Sequence, residues 1–211
     1  FGLFMGHIEK ISKIIANDLI KAIKSKGFAS LIVCGGDSPQ PIFEYLSKLD
    51  IGWHNVIVSL VDDRVLPSEH KDSNEKNIKT NLLKNLAIKT EFVSICNETQ
   101  RLMNLNRPFD VMLLGVGEDG HFASLFPNMM TSLEALKENS EPKIIKTPKN
   151  GNPFCHRLTM NLAMILQSER CIVMGQNKDK MNIINKANKD KSMPLYYLLN
   201  NHKIDINIFK T

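Results

Sequence analysis

The run Gly115-Val116-Gly117-Glu118-Asp119-Gly120-His121 places an aspartate two residues before a histidine, with three glycines in its first six residues. A carboxylate beside an imidazole fixes the ring's tautomer and raises its basicity, which is what a water-activating general base requires. Asp119 and His121 are therefore the first candidates for catalysis. A second segment, Gly35-Gly36-Asp37-Ser38-Pro39, has the makings of an anion-binding turn, because backbone N–H groups left unpaired at the start of a helix point at whatever lies in front of them. A tight turn needs the same glycines for steric reasons alone. The segment matches neither the GxxxxGKS/T phosphate loop nor the GxGxxG dinucleotide fingerprint. Asp62-Asp63-Arg64 is a cluster of charges that can pair internally or meet a ligand. Arg157, in His156-Arg157-Leu158-Thr159, and Lys178, shortly after Gly175, are cations of the kind a phosphate uses. The remaining histidines, His7, His54, His70, His156 and His202, show no ligand spacing, so no metal site is expected.

These residues need elements to hold them. Ile8, Ile11, Ile14, Ile15, Leu19 and Ile23 follow helical spacing and predict an amphipathic first helix. Ala29 to Cys34 is a buried strand running into Gly35-Gly36. Ile42 to Leu49 resumes helical spacing after Pro39 and Pro41, residues suited to a helix start. Val56 to Val61 is a second strand that ends in Asp62-Asp63-Arg64, followed by a helix from about Ser73 to Leu86. Phe92 to Ile95 is a short third strand, and Phe109 to Leu114 a strong one ending in Gly115-Val116-Gly117. Arg170 to Met174 is another, followed by Gly175 and a helix through Ala187. Strands alternating with helices predict an α/β domain with a doubly wound, mainly parallel, Rossmann-like sheet. Ligands bind such sheets at the carboxyl ends of the strands, and the glycine-rich and charged segments fall there.

Composition narrows the partners. The chain has 211 residues, 43% hydrophobic and 23% charged, which fits a single globular domain spanning 1–211. It has no run approaching the roughly 18 apolar residues of a membrane span. The apolar opening Phe1–Met5 is too short for a signal segment. Phe1 is not an initiator methionine, so the chain is read as a trimmed protein or part of a longer polypeptide. Cys34, Cys96, Cys155 and Cys171 are scattered without a CxxC pair and are expected to be reduced thiols in a cytoplasmic protein. The net charge of +5 comes from dispersed lysines, and arginine occurs only as Arg64, Arg101, Arg107, Arg157 and Arg170. One Trp and three Tyr leave few stacking platforms for bases. Neither nucleic acid nor a membrane is expected as a partner; an anionic small molecule is.

Taken together, Gly35-Gly36-Asp37-Ser38-Pro39, Asp62-Asp63-Arg64 with Ser73-Asn74 downstream, and Gly115 to Pro127 as GVGEDGHFASLFP resemble the 6-phosphogluconolactonase family. Arg157-Leu158-Thr159 and Gly175-Gln176-Asn177-Lys178 fit the same pattern, so the resemblance extends from residue 31 to about 180. It implies hydrolysis of 6-phosphoglucono-δ-lactone in the oxidative pentose phosphate pathway, without a cofactor. In that reading His121 takes a proton from water, Asp119 orients the imidazole, and Arg64 with the Gly35-Gly36 turn stabilises the oxyanion. Arg157 and Lys178 hold the phosphate, and Asp37, Ser38 and Asp62 complete the substrate site.

The related glucosamine-6-phosphate deaminase/isomerases resemble the chain at the same loops. They carry a Glu where this chain has Phe126 and a Tyr where it has Arg64. A phenyl ring cannot move protons between sugar carbons, which favours the lactonase over the isomerase. A non-catalytic sugar-phosphate sensor would be expected to have lost the Asp-His pair. Two departures from the lactonase pattern are visible. The family usually has a small hydroxyl residue where Asp37 stands, so Asp37 is expected to turn away and cap the following helix, or else the phosphate is held elsewhere. The stretch from Ile88 to Phe109 is also short for the family. In some lineages such a domain is fused to glucose-6-phosphate dehydrogenase, which makes that enzyme a candidate partner.

Overall fold

Strands buried on both faces need uninterrupted apolar sequence, and the runs with that character form the centre of the molecule. The computed structural model describes residues 2–210, and the side chains of all of these but 2–5 and 133. Within the apolar opening Phe1–Met5, residue 1 and the side chains of 2–5 thus lie outside the described residues. In chain order the elements are α1 (Gly2–Lys26), β1 (Ala29–Val33), α2 (Gln40–Leu46), β2 (Val56–Leu60), β3 (Asp62–Arg64), α3 (Asn74–Asn81), β4 (Glu91–Val93), α4 (Thr99–Met103) and β5 (Phe109–Leu114). They continue as α5 (Leu133–Leu136), β6 (Ile144–Lys146), β7 (Arg157–Met160), α6 (Leu162–Ile165), β8 (Ser168–Gly175), α7 (Lys178–Ala187), α8 (Leu195–Leu199) and β9 (Ile206–Lys210).

Six strands form one parallel sheet in the order β4-β2-β1-β5-β8-β9, flanked by helices. The chain winds outward from β1 through β2 to β4, then returns to lay β5 on the other side of β1 and winds outward again to β9. The switch point lies between β1 and β5, which pair in register from Leu31↔Val111 to Val33↔Leu113. Gly35-Gly36 and Gly115-Val116-Gly117 leave the sheet side by side at the carboxyl end of this pair, where connections run in opposite directions and open a crevice. Every residue of β1 and β5 is buried. Ile11, Ile15 and Leu19 of α1, with Ile8 almost as deep, pack into the same core.

A second, antiparallel sheet, β3-β7-β6, was not anticipated from the sequence. Asp62-Asp63-Arg64 is not the tail of the second strand but a strand of its own, with Asp62 opposite Thr159 and Arg64 opposite Arg157. The join is Val61, whose N–H donates to Val33 O at 2.9 Å in the parallel sheet and whose carbonyl accepts from Met160 N at 2.9 Å in the other. The C-terminal β9 was also unexpected. The helix expected from Ser73 to Leu86 ends at Asn81, because the chain tightens into a 3-10 turn at Asn85–Lys89.

At the end of the β1–β5 pair remote from the glycines, Asp110 ties three elements together. Its carboxylate accepts from Ser30 N at 2.8 Å and Ser30 Oγ at 3.0 Å, and pairs with Lys26 Nζ at 2.8 Å. Removing it strands a buried N–H and hydroxyl. Asp110→Ala is expected to lower stability by about 2–3 kcal/mol, the cost of orphaning such groups, read as a reduced urea midpoint, while the properties of the distant crevice are retained in the folded fraction. An unchanged midpoint would show that the network contributes nothing.

Candidate active site

The crevice is a cleft of about 220 Å³ between the two sheets. Gly35, Gly36 and Ser38 enter it from the end of β1, and Gly115, Val116, Gly117 and His121 from the end of β5. Asp62 and Arg64 come from β3, Arg157 from β7, and Gly151 and Asn152 from the loop joining β6 to β7. Seven of the residues singled out from the sequence, His121, Arg64, Gly35, Gly36, Ser38, Asp62 and Arg157, thus share one wall-to-wall site.

Asp119 lies behind His121. Its Oδ1 is 2.5 Å from His121 Nδ1 and accepts from His121 N at 3.1 Å, so the carboxylate grips both the ring and the backbone of the histidine. The imidazole hydrogen bond holds the Asp119 carboxyl below its ordinary value, against a smaller opposing effect of burial. The loop geometry that permits this depends on two glycines. A Cβ on Gly117 would fall 2.0 Å from His121 Cε1, inside the ring's own volume, and Gly120 has φ +77, a conformation side chains resist. The loop closes with Gly117 N donating to His121 O at 2.8 Å. It is clamped from outside by Lys180 Nζ on Val116 O at 2.6 Å and Leu195 N on Gly120 O at 2.9 Å.

Arg64 and Arg157 are cross-strand neighbours. Arg101 and Arg170 pair with carboxylates, on Glu91 and Glu98 and on Asp18, but among the described residues neither cleft arginine makes a salt bridge. Each is held by backbone carbonyls instead: Arg64 by Asp72 O, Arg157 by Asn150 O and, at 3.2 Å, by Pro153 O. Arg157 is only 3% exposed, and burial first, then the neighbouring Arg64 charge, push its pKa down. Two adjacent guanidiniums without carboxylate partners, opening on a cleft, form a site for an anion with several oxygens.

Asp62 is buried, and its Oδ2 accepts from Ser124 Oγ at 2.5 Å while Ser124 N donates to Thr159 Oγ1 at 3.2 Å. Ala123, just before, has φ +48, a left-handed backbone that an alanine adopts only where its surroundings enforce it. Asp63 faces the other way. It accepts from Asn74 N, Glu75 N and Ser73 Oγ at the start of α3, and burial raises its pKa in spite of these bonds. The trio thus divides: Asp63 anchors a helix, while Asp62 and Arg64 face the cleft. Cys34 lines the floor as a neutral thiol, pushed up to about 12 by burial.

Three expected residues do not line the cleft: Asp119, which supports His121, and Asp37 and Lys178. Asp37 is exposed and its carboxylate accepts from the Gln40 side chain at 2.9 Å, but it does not cap α2 as expected: the N-cap position is Pro39, without a side-chain cap hydrogen bond. Lys178 opens α7 as an exposed residue outside the cleft lining, while Gln176, two positions earlier, donates to Ser38 O. Ser124, Thr159 and the Gly151-Asn152 loop were not singled out from the sequence as site residues. The Asn-Gly pair at 150–151 was the available turn signal for that loop. Among the described residues no group of three His, Cys, Asp or Glu side chains is placed to hold a metal, and no helix is long and apolar enough to cross a membrane.

Residues 6–206 match the family described as glucosamine-6-phosphate isomerases/6-phosphogluconolactonase. A 6-phosphogluconolactonase of Helicobacter pylori strain J99 is 32% identical over 200 residues, covering 89% of this chain and 86% of that protein. One from Mesorhizobium japonicum is 35% identical over 179 residues, covering 79% and 74%. The crystal structure of a 6-phosphogluconolactonase from Shewanella baltica superposes with a TM-score of 0.86 at 27% identity, covering 97% of this chain and 93% of that one. A monomeric glucosamine-6-phosphate deaminase shares the fold, with a TM-score of 0.73 at 19% identity. With the match running through both sheets and every wall of the cleft, the chain belongs to the glucosamine-6-phosphate isomerase/6-phosphogluconolactonase family.

Proposed function

We propose that this protein hydrolyses 6-phospho-D-glucono-1,5-lactone to 6-phosphogluconate, the lactone-opening step of the oxidative pentose phosphate pathway. The observation that carries the reading is the joint presence, in one cleft, of an aspartate-held imidazole and two arginines without carboxylate partners. Phe126, buried in the same wall, offers no group for the proton shuttling of an isomerase.

With a proton on Nδ1 held by Asp119, His121 accepts a proton from water at Nε2, and the resulting hydroxide attacks the lactone carbonyl. The negative charge that develops on the carbonyl oxygen is met by Arg64 and by the backbone N–H groups of the Gly35-Gly36 turn. Collapse breaks the bond to the ring oxygen, which takes the proton from the His121 imidazolium and leaves as the new hydroxyl. Arg157 holds the phosphate, with Lys178 adding positive charge from outside the cleft lining; neither transfers a proton. Asp62, fixed by Ser124, is a hydrogen-bond acceptor for sugar hydroxyls. The reaction needs no cofactor. We place it in the cytoplasm, where the four free cysteines stay reduced, in one domain spanning 1–211 that is compatible with association or fusion with a glucose-6-phosphate dehydrogenase.

The reading is tested with freshly generated 6-phosphogluconolactone in a coupled assay beside glucosamine 6-phosphate. Lactone hydrolysis well above an enzyme-free blank is expected, without ammonia release from the amino sugar; ammonia at a comparable rate would overturn it. His121→Ala should lower the hydrolysis rate by about 10²–10⁴-fold, as loss of a general base does, and a folded variant at near wild-type rate would remove His121 from the mechanism. The same substitution should raise the Asp119 carboxyl pKa back toward 3.8 in an NMR titration. The sign follows from the depressed value: the contact stabilises the fold fully above the ordinary aspartate range and is lost as pH falls through the lowered pKa. Arg157→Ala should weaken use of the phosphorylated lactone by about 1.5–3 kcal/mol, the range for charged hydrogen bonds, and affect unphosphorylated gluconolactone far less. Lys178→Ala should show the same preference with a smaller loss, because Lys178 is exposed and outside the cleft lining.

A further inference from the structure

The base and the phosphate-binding cation sit on different elements, yet both touch one ring. The centroid of Phe126 is 4.4 Å from that of His121, with the rings inclined at 37°, and the Arg157 guanidinium carbon is 5.2 Å from the Phe126 centroid. The two rings are in close tilted contact, and the guanidinium is within the roughly 6 Å at which an aromatic face attracts a cation.

His121 is gripped by Asp119 at Nδ1, and Arg157 is held by carbonyls at its terminal nitrogens. Hydrogen bonds at the edge of a planar group leave it able to tip about the bonded edge. A ring packed near the plane restricts that motion. Phe126 is itself fixed from its own backbone: it is 3% exposed, Met129 N donates to its carbonyl at 2.9 Å, and Pro127 follows it at the start of the 3-10 turn Pro127–Met129. It can therefore impose a position on its neighbours.

We propose that Phe126 is a positioning residue shared by the two halves of the site, its ring setting both the imidazole that takes the proton and the guanidinium that takes the phosphate. The proposal rests on the reading of His121 as base and Arg157 as phosphate ligand. It assigns to the side chain at 126 a coupling between substrate recognition and proton transfer, made through contact and not through any chemistry of its own.

The test compares phosphorylated with unphosphorylated gluconolactone in Phe126→Leu and Phe126→Met, both apolar and ringless, and in Phe126→Tyr, which keeps the ring. Folding is checked by circular dichroism and thermal melting. With unphosphorylated lactone only the base is displaced, and kcat/KM is expected to fall about tenfold, the scale of one lost aromatic contact. With the phosphorylated lactone the cation is displaced as well, and the fall should approach about a hundredfold, with kcat lowered and KM raised together. Phe126→Tyr, if folded, should recover most of both. Equal losses on the two substrates in the folded Leu and Met variants would overturn the coupling, as would wild-type rates in either. A failure of the phosphate assignment is seen separately: Arg157→Ala would then cost the same on both substrates whatever stands at position 126.

Discussion

One peptide position governs the geometry of the whole site. Val61 has its N–H in the parallel sheet and its carbonyl in the antiparallel one, so the two sheets share a hinge a single residue wide. Because successive side chains alternate along β3, Asp62 and Arg64 fall on the cleft side while Asp63 points away to the start of α3. A slip of one residue at Val61 would reverse that assignment, burying the arginine and presenting Asp63 to the substrate. Both of its backbone groups are committed at 2.9 Å, which specifies the register.

The rest of the cleft is arranged around that join. The β1–β5 switch point delivers two glycine-rich turns from one side, and the β3–β7 pair delivers two arginines from the other. Phe126 and Ser124, from the segment after His121, bridge the sides: Phe126 touches both His121 and Arg157, and Ser124 bonds Asp62 of β3 and, through its N–H, Thr159 of β7. The left-handed backbone at Ala123 is the local cost of turning the chain so that both contacts form.

What was legible in the sequence is local in character. Asp119 and His121 are two apart, and the glycines around them announce a tight turn after an apolar run, so the pair was identifiable without any knowledge of the sheet. The inner parallel strands β1, β2, β5 and β8 were readable because each contains an apolar, largely buried run, whereas the edge strand β9, with no buried residue, was not. The antiparallel sheet was not: β3 has three residues, β6 three and β7 four, too few for an alternating pattern to rise above its surroundings. For that reason Arg64 and Arg157 were each recognisable as cations, but not as cross-strand neighbours. Lys178 was placed with the phosphate ligands from its position after a strand end; it begins α7 as an exposed residue outside the cleft lining.

Holding the two cleft arginines by carbonyl dipoles has a consequence for the traffic of charge. Among the described residues no salt-bridged carboxylate has to be displaced from either arginine when an anion arrives, and their field, weakened by the nearby Asp62 and Asp63 charges, extends into solution over a Debye length of about 8 Å at physiological salt. Capture of a sugar phosphate is then steered, and slows as ionic strength rises. Ring opening adds a carboxylate to a molecule that already carries a phosphate, so the same field attracts the product more strongly than the substrate. The buried carboxylate of Asp62, in the same wall, repels the phosphate of substrate and product alike, and it repels the product's new carboxylate as well, so it offsets part of that stronger attraction.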